Sequence, residues 1–356
     1  MLKGHIHGIL RREDFMDNGM TPKERWYAGM AMKELDRPPV ACMTQSATVD
    51  QMEAVNVFWP DAHTNPQMMA KLGIAQNSVL GFEAARIPFC LTIEVENMGL
   101  PVDLGKVDRT PMVKGHPFNE DNLDTIEIPK DFIDMGRAKV VREAAEIMKE
   151  EVGKDLPIVV GTTGPFTIAG HLVGTENLLL WILTNPEAVH EAVKIGAEIA
   201  YQYQKAIDAI GVDAIQQSDP SASTDMLSGE MFDEFASPYI KRSFEGIESA
   251  KTILHICGDT TILLDHMIAT GVDGLSIEEK VDPFKAVELV DGRAALIGNC
   301  GVVNPLLQGT PETTREHARK ICESGFNVAS PGCGLAARVS KDNLMAFVDE
   351  VKKFRK

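Results

Sequence analysis

The sequence predicts an α/β fold, a (β/α)8 TIM barrel with an N-terminal helical extension. Eight short β-branched or apolar runs are spread along the 356 residues, helix signals separate them, and no shift in composition marks a second domain. The runs are PVACM (39–43), LTIEVEN (91–97), PIVVGTT (157–163), DAIQQSD (213–219), TILHICG (252–258), GLSIEEK (274–280), AALIGNC (294–300) and FNVASPGCG (326–334). GVDAIQQSD and GVDGLSIEEK both begin with Gly-Val-Asp after a helical stretch, the echo expected of successive βα units in which glycine caps the helix C-terminus. No Gly-x-Gly-x-x-Gly follows a strand and no Walker-type lysine loop is present, so open-sheet dinucleotide and nucleoside triphosphate folds lose their main support.

The helices follow from their ends. Thr21-Pro22-Lys23-Glu24 places a capping threonine, a proline at the first helical position and a glutamate that returns to the cap, which predicts a helix running to about Leu35. A second covers roughly 131–152 and stops at Gly153. Asn185-Pro186-Glu187 opens a long helix closed by Gly211, and Thr310-Pro311-Glu312 opens another. Residues 1–38 read as a helical lead-in, 98–130 as an irregular excursion, and 1–356 as a single barrel domain.

At 44% apolar and 24% charged residues the chain can bury a sizeable core, which excludes disordered and disulfide-scaffold classes. Its 52 acidic against 35 basic side chains give a net charge of −17, the wrong sign for gathering phosphates, so no nucleic-acid partner is expected. The opening MLKGHIHGILRRED is charged rather than an apolar leader, and apolar runs such as Leu178 to Leu183 fall far short of the ~20 residues that span a bilayer. A cytoplasmic chain with no membrane partner is expected. Its six cysteines are then reduced, each a core thiol, a metal ligand or a nucleophile.

In a (β/α)8 barrel, chemistry sits where strands end and βα loops begin. His255-Ile256-Cys257-Gly258 closes the fifth run, and side chains two apart on a strand share a face, so His255 and Cys257 both look into the barrel mouth. Cys333, in Ser330-Pro331-Gly332-Cys333-Gly334, closes the eighth run between glycines that let the backbone turn tightly. Two thiolates and an imidazole suit Zn2+, which in catalytic sites keeps a fourth position for an exchangeable ligand. Taken singly, each cysteine reads as a small buried hydrophobe, and that assignment is kept for Cys42, Cys90 and Cys322.

A fourth protein ligand is expected from Glu278 or Glu279, of which only one can face inward; Glu278, which shares an inward face with Ser276 at the end of the sixth run, is preferred, and a solvated acidic loop is the competing reading. Cys300, ending the seventh run, is the reserve. Asn97, Gln216, Ser218, Asp219 and Asn299 stand at strand ends, placed to line a substrate pocket, orient the imidazole or cap a βα loop.

The segments HICGDTT, GVDGLSIEEKVDP, GNCGVVNP and SPGCGLA resemble the uroporphyrinogen decarboxylase superfamily, and within it the zinc-dependent methylcobalamin:coenzyme M methyltransferases of methylotrophic methanogens. The resemblance runs through nearly the whole chain, from TPKERWYAGMAMKELDRPPV to DNLMAFVDEVKKF, with HICG and the late GCG its most specific parts. It implies a barrel, Zn2+ on His255, Cys257 and Cys333, and transfer of a methyl group from a methylated corrinoid protein to the thiol of coenzyme M, 2-mercaptoethanesulfonate, in methanogenesis. Zn2+ would deprotonate that thiol, making it the nucleophile that attacks the methyl group. Arg338, five residues after Cys333, reads as an exposed helix-start arginine or a partner for the sulfonate.

The methylcobalamin is expected on a partner corrinoid protein in a transient complex. Asp61-Ala62-His63-Thr64-Asn65-Pro66 begins like the Asp-x-His-x-x-Gly signature of corrinoid binders but ends in proline. The decarboxylases themselves carry an arginine-bearing segment after the first strand, whereas CMTQSATVDQME has neither Arg nor Lys from Cys42 to Glu53, which disfavours a lyase acting on a polyanionic tetrapyrrole. A zinc methyltransferase with another acceptor, homocysteine or a folate, and a barrel in which zinc only ties strands together, remain as alternatives.

Overall fold

A computed structural model describes residues 19–45 and 47–355, so the first eighteen positions of the expected lead-in lie outside the described residues. The strands are β1 (Ala85–Ile87), β2 (Val102–Asp103), β3 (Met112–Val113), β4 (Ile158–Thr163), β5 (Ala214–Ser218), β6 (Lys251–His255), β7 (Gly274–Ile277), β8 (Ala295–Cys300) and β9 (Val328–Pro331). Seven of them form one parallel sheet in the order β1-β4-β5-β6-β7-β8-β9, while β2 and β3 pair as a separate antiparallel hairpin.

The predicted first strand, 39–43, fills the eighth position through one parallel bridge between Val40 and Ala329 in β9. Ala41 N–H donates to the Ala329 carbonyl at 2.9 Å and Ala329 N–H to the Pro39 carbonyl at 2.9 Å; on the other flank Glu83 N–H donates to the Val40 carbonyl at 2.7 Å. The sheet thereby closes from β9 back to β1 as a barrel.

Six of the predicted runs coincide with strands, but 91–97 does not. It carries the short helix Ile93–Glu96, and the second barrel strand is β1, at 85–87. The cause is long-range: the buried Glu94 carboxylate accepts the Thr163 N–H at 2.7 Å and the Thr163 hydroxyl at 2.8 Å, which folds the segment over the end of β4. The lead-in helix is Pro22–Met30, shorter than expected because Met32 turns at φ +53. Helices Gly136–Glu151, Pro186–Asp208 and Pro311–Ser324 fall where their end signals place them.

Two apolar layers hold this together. The larger lies between sheet and helices; the smaller fills the barrel floor with Val159, Ala214, Ile253, Ala295, Ile297 and Val328, plugged from below by Trp26 and Met30 of the lead-in helix. With a period of two, the same inward rows become polar toward the mouth: Ala214 gives way to Gln216 and Ser218, Ile253 to His255, Ile297 to Asn299 and Val328 to Ser330. Among the described residues no single helix is long and apolar enough to cross a membrane. Pro165–Val173 and Thr175–Thr184 reach that length and composition together, but with a 100° bend between them.

Candidate metal centre

His255 ends β6 and Cys257 follows two residues on, before a turn that Gly258 makes at φ +88. Ile256 between them packs into the outer apolar layer, as do Leu275 and Ile277 of β7, so Ser276 is left facing inward beside His255. Cys333 is brought to the same point from β9. Gly332 N–H donates to the Cys300 carbonyl at 2.8 Å, and the Thr44 hydroxyl donates to the Cys333 carbonyl at 2.6 Å.

The three donor atoms lie within 4.8 Å of one another, and among the described residues they are the one His/Cys/Asp/Glu group gathered closely enough to hold a metal ion. Cys257 Sγ is 3.4 Å from His255 Nε2 and 3.6 Å from Cys333 Sγ. A tetrahedral zinc with ordinary bond lengths would have S···N and S···S edges of about 3.5 and 3.8 Å, so the donor set fits that ion. His255 Nδ1 is 3.1 Å from both the carbonyl and the hydroxyl of Ser276. A carbonyl can only accept, so Nδ1 carries the proton and Nε2 presents its lone pair to the sulfurs.

The electrostatics describe a site short of positive charge. The Cys333 thiol is pushed far up, first by its hydrogen bond to Cys257 and then by burial. Burial works against a charge on His255, but the Cys333 sulfur, the Glu278 carboxylate and Ser276 outweigh it and raise its pKa. A cation between the two sulfurs would favour their ionised form.

Glu278 is half-buried and its charge reaches His255, but its carboxylate does not join the group. Neither does Cys300, fully buried, whose thiol is raised by burial and by Glu279. Glu279 carries the orphaned atom of the region: Oε2 is buried with no partner, and a Cβ on Gly332 would come within 3.1 Å of it.

A cavity of about 470 Å³ reaches Gly334, the residue after Cys333, with Leu335, Gln45, Trp59, Cys90 and Thr92 also in its wall and the β2–β3 hairpin over one side at 110–113; none of the three donor residues lines it. None of Asn97, Gln216, Ser218, Asp219 and Asn299 lines it; each is spent inside the fold. Asn97 donates to the Phe132 carbonyl at 2.8 Å, and Asn299 to the Val281 carbonyl at 2.8 Å. Gln216 accepts from Arg86 at 3.1 Å and donates to the Ser218 hydroxyl at 2.8 Å. Asp219 caps helix Pro165–Val173 by accepting from Phe166 N–H, Thr167 N–H and the Thr167 hydroxyl, while burial pushes its pKa up to about 6. Arg338 pairs with Asp108 at 2.6 Å rather than facing the cavity. No local pattern marks these wall residues: Thr110 to Val113 come from the excursion, whereas Gln45 follows the first barrel strand and Cys90 and Thr92 follow β1, so only the closed barrel brings them together.

The uroporphyrinogen decarboxylase (URO-D) family matches residues 21–354. The chain is 37% identical over 329 residues to methylcobamide:CoM methyltransferase MtaA of Methanosarcina barkeri, spanning 92% of this chain and 96% of the relative. It is 36% identical over 341 residues to methylcobamide:CoM methyltransferase MtbA of Methanosarcina acetivorans, spanning 94% and 98%. The solved structure of a methyltransferase from Methanosarcina mazei superposes with a TM-score of 0.90 at 37% identity, over 94% of this chain and 99% of that one. A match across nearly every described residue, with relatives that share more than a third of their residues with it, places this chain in the uroporphyrinogen decarboxylase (URO-D) family.

Proposed function

We propose that the chain is a cytoplasmic enzyme, a single barrel domain that transfers a methyl group from a methylated corrinoid protein to the thiol of coenzyme M, with Zn2+ held by His255, Cys257 and Cys333. The observation that carries this reading is the convergence of those donors at the mouth of a barrel whose relatives bear the name methylcobamide:CoM methyltransferase. Bound there, Zn2+ supplies the Lewis acidity that turns an entering thiol into a thiolate near neutral pH.

The chain's own residues do the rest. Ser276 fixes the imidazole so that Nε2 faces the sulfurs. Cys257 and Cys333 contribute two sulfurs whose charge offsets a dication, which keeps a further sulfur electron-rich enough to attack a methyl group. The cavity beside Gly334 and Leu335 has the size for a small thiol rather than for a corrin macrocycle with its nucleotide tail. The cobamide therefore stays on its own protein, which approaches the mouth in a transient complex.

A lyase acting on a tetrapyrrole carboxylate has less support. Residues 42–53 offer no cation, and the buried Arg86 on β1 is spent on the Met43 and Pro88 carbonyls and on Gln216. The test is direct. Purified protein is expected to hold about one zinc per chain, lost in Cys257→Ser and Cys333→Ser, and to demethylate free methylcobalamin, followed by absorbance, only when coenzyme M is present. Zinc-loaded protein that leaves the spectrum unchanged would overturn the reading, and turnover with homocysteine alone would move the acceptor.

A further inference from the structure

Cys90 is set apart from the other cysteines. Cys42, Cys300 and Cys322 are core thiols and Cys257 and Cys333 belong to the metal group, whereas Cys90, 5% exposed, is the cysteine in the cavity wall. Its sulfur accepts a hydrogen bond from an Arg137 guanidinium N–H at 3.3 Å and from the Thr92 hydroxyl at 3.5 Å. Arg137 is itself buried and locked in place, ion-paired with Glu96 and donating to the Thr92 hydroxyl at 2.8 Å. A fixed guanidinium against a sulfur stabilises the negative charge that the sulfur carries when it attacks or leaves.

The same wall holds polar groups that lack partners. Trp59, 3% exposed, has an indole N–H with no acceptor, and His171 Nδ1 is likewise buried and unpaired. A cavity with a nucleophile at one point and orphaned polar atoms at others is built for a small ligand that carries both a sulfur and a polar end.

We propose that Cys90 is a redox-sensitive modification site that exchanges with the disulfide of the small thiol admitted to this cavity. The identity of that thiol rests on the function proposed above. The Cys90 sulfur attacks one sulfur of the disulfide, the S–S bond breaks, a new bond joins Cys90 to one half, and the other half leaves as a thiolate that takes up the proton Cys90 gave. No oxidant beyond the disulfide is needed. The bound half then occupies the cavity that reaches Gly334, the residue after Cys333, and excess free thiol reverses the exchange. An enzyme that consumes a thiol would thereby stop when its thiol pool becomes oxidised.

The experiment treats full-length, zinc-loaded protein at neutral pH without oxygen with the disulfide of 2-mercaptoethanesulfonate, then maps adducts by peptide mass spectrometry. The expected result is a mixed disulfide on Cys90, forming at least about tenfold faster than on Cys42 or Cys322, removed by dithiothreitol, with zinc content unchanged. Cys90→Ser should lack the adduct, and Arg137→Gln should slow it about tenfold. An unmodified Cys90, or label confined to Cys257 and Cys333 with loss of zinc, would overturn the proposal; the mapping is read on the unaltered chain, so folding of the variants does not decide it. Zinc content and methyl transfer measured on untreated protein report separately on the proposed function, so either reading can fail while the other stands.

Discussion

His63 is fully buried, stacked on Trp59 with ring centroids 5.1 Å apart, and neither ring nitrogen has a hydrogen-bond partner. Burial first, and then the charge on Arg137, push its pKa down from 6.5 to about 3. The folded protein therefore keeps His63 neutral where the unfolded chain would bind a proton. Its contribution to stability is whole above pH 6.5 and is lost as the pH falls toward 3, at about 1.4 kcal/mol per unit, or roughly 2 kcal/mol by about pH 5. His63→Phe keeps the ring against Trp59 and removes the titration. Urea unfolding at pH 7 and at pH 5 should show the parent losing more stability than the variant by roughly that amount. Asp219, raised by burial, has the opposite sign, and it cancels in the comparison. An equal loss in both proteins would show that the His63 environment is not as described. The candidate ligand triad is more legible in sequence than such a residue. His255 and Cys257 declare themselves by strand alternation and Cys333 by its flanking glycines, whereas His63 stands out in the sequence only as part of an incomplete corrinoid signature.

At the scale of elements, local chemistry separates what could be read from what could not. The Thr21 capping box is written in four consecutive residues, and the structure forms it: the Thr21 hydroxyl accepts the Glu24 N–H and the Glu24 carboxylate accepts the Thr21 N–H at 2.8 Å. That helix plugs the barrel floor with Trp26 and Met30, so Thr21→Ala should cost about 1 kcal/mol in denaturant unfolding with no change in zinc content. A loss below a few tenths of a kcal/mol would mean that packing alone holds the helix. Strand β1 shows the other case. Ala85-Arg86-Ile87 has little β propensity, and its place in the barrel depends on Arg86 reaching inward over Gly161, where even a Cβ would come within 1.9 Å of the guanidinium. LTIEVEN alternates like a strand, yet it turns helical once Glu94 is claimed by Thr163, a contact across 69 residues. The hairpin at 102–113 is tied to the loop after Cys333 by the Asp108–Arg338 pair, and no local pattern announces that closure.

For the molecule as a whole, the decisive contact is where the ring closes. The bridge at Val40 is a single one, and a buried ion pair reinforces it: Arg37 donates to both oxygens of Glu83 at 2.9 and 2.7 Å, while the same carboxylate accepts the Val40 N–H at 2.9 Å. Glu83 thus stitches the first strand to the chain entering β1 through its side chain and its backbone at once. The site depends on that closure, because Thr44, four residues beyond Val40, holds the Cys333 carbonyl. Glu83→Ala takes a bidentate carboxylate from the buried Arg37 guanidinium and the acceptor from Val40 N–H, so it should cost roughly 3–5 kcal/mol. Replacing both, Arg37→Met with Glu83→Leu, removes the buried charge along with its carboxylate and should recover part of the loss, short of the whole because Val40 N–H loses its acceptor. If closure also positions Cys333, Glu83→Ala should bind zinc more weakly under conditions where it remains folded, as followed by competition with a chelator. Zinc affinity unchanged alongside a large loss of stability would show instead that the three proposed ligands are held by β6 and β9 alone, and that the first strand serves the barrel but not the proposed metal site.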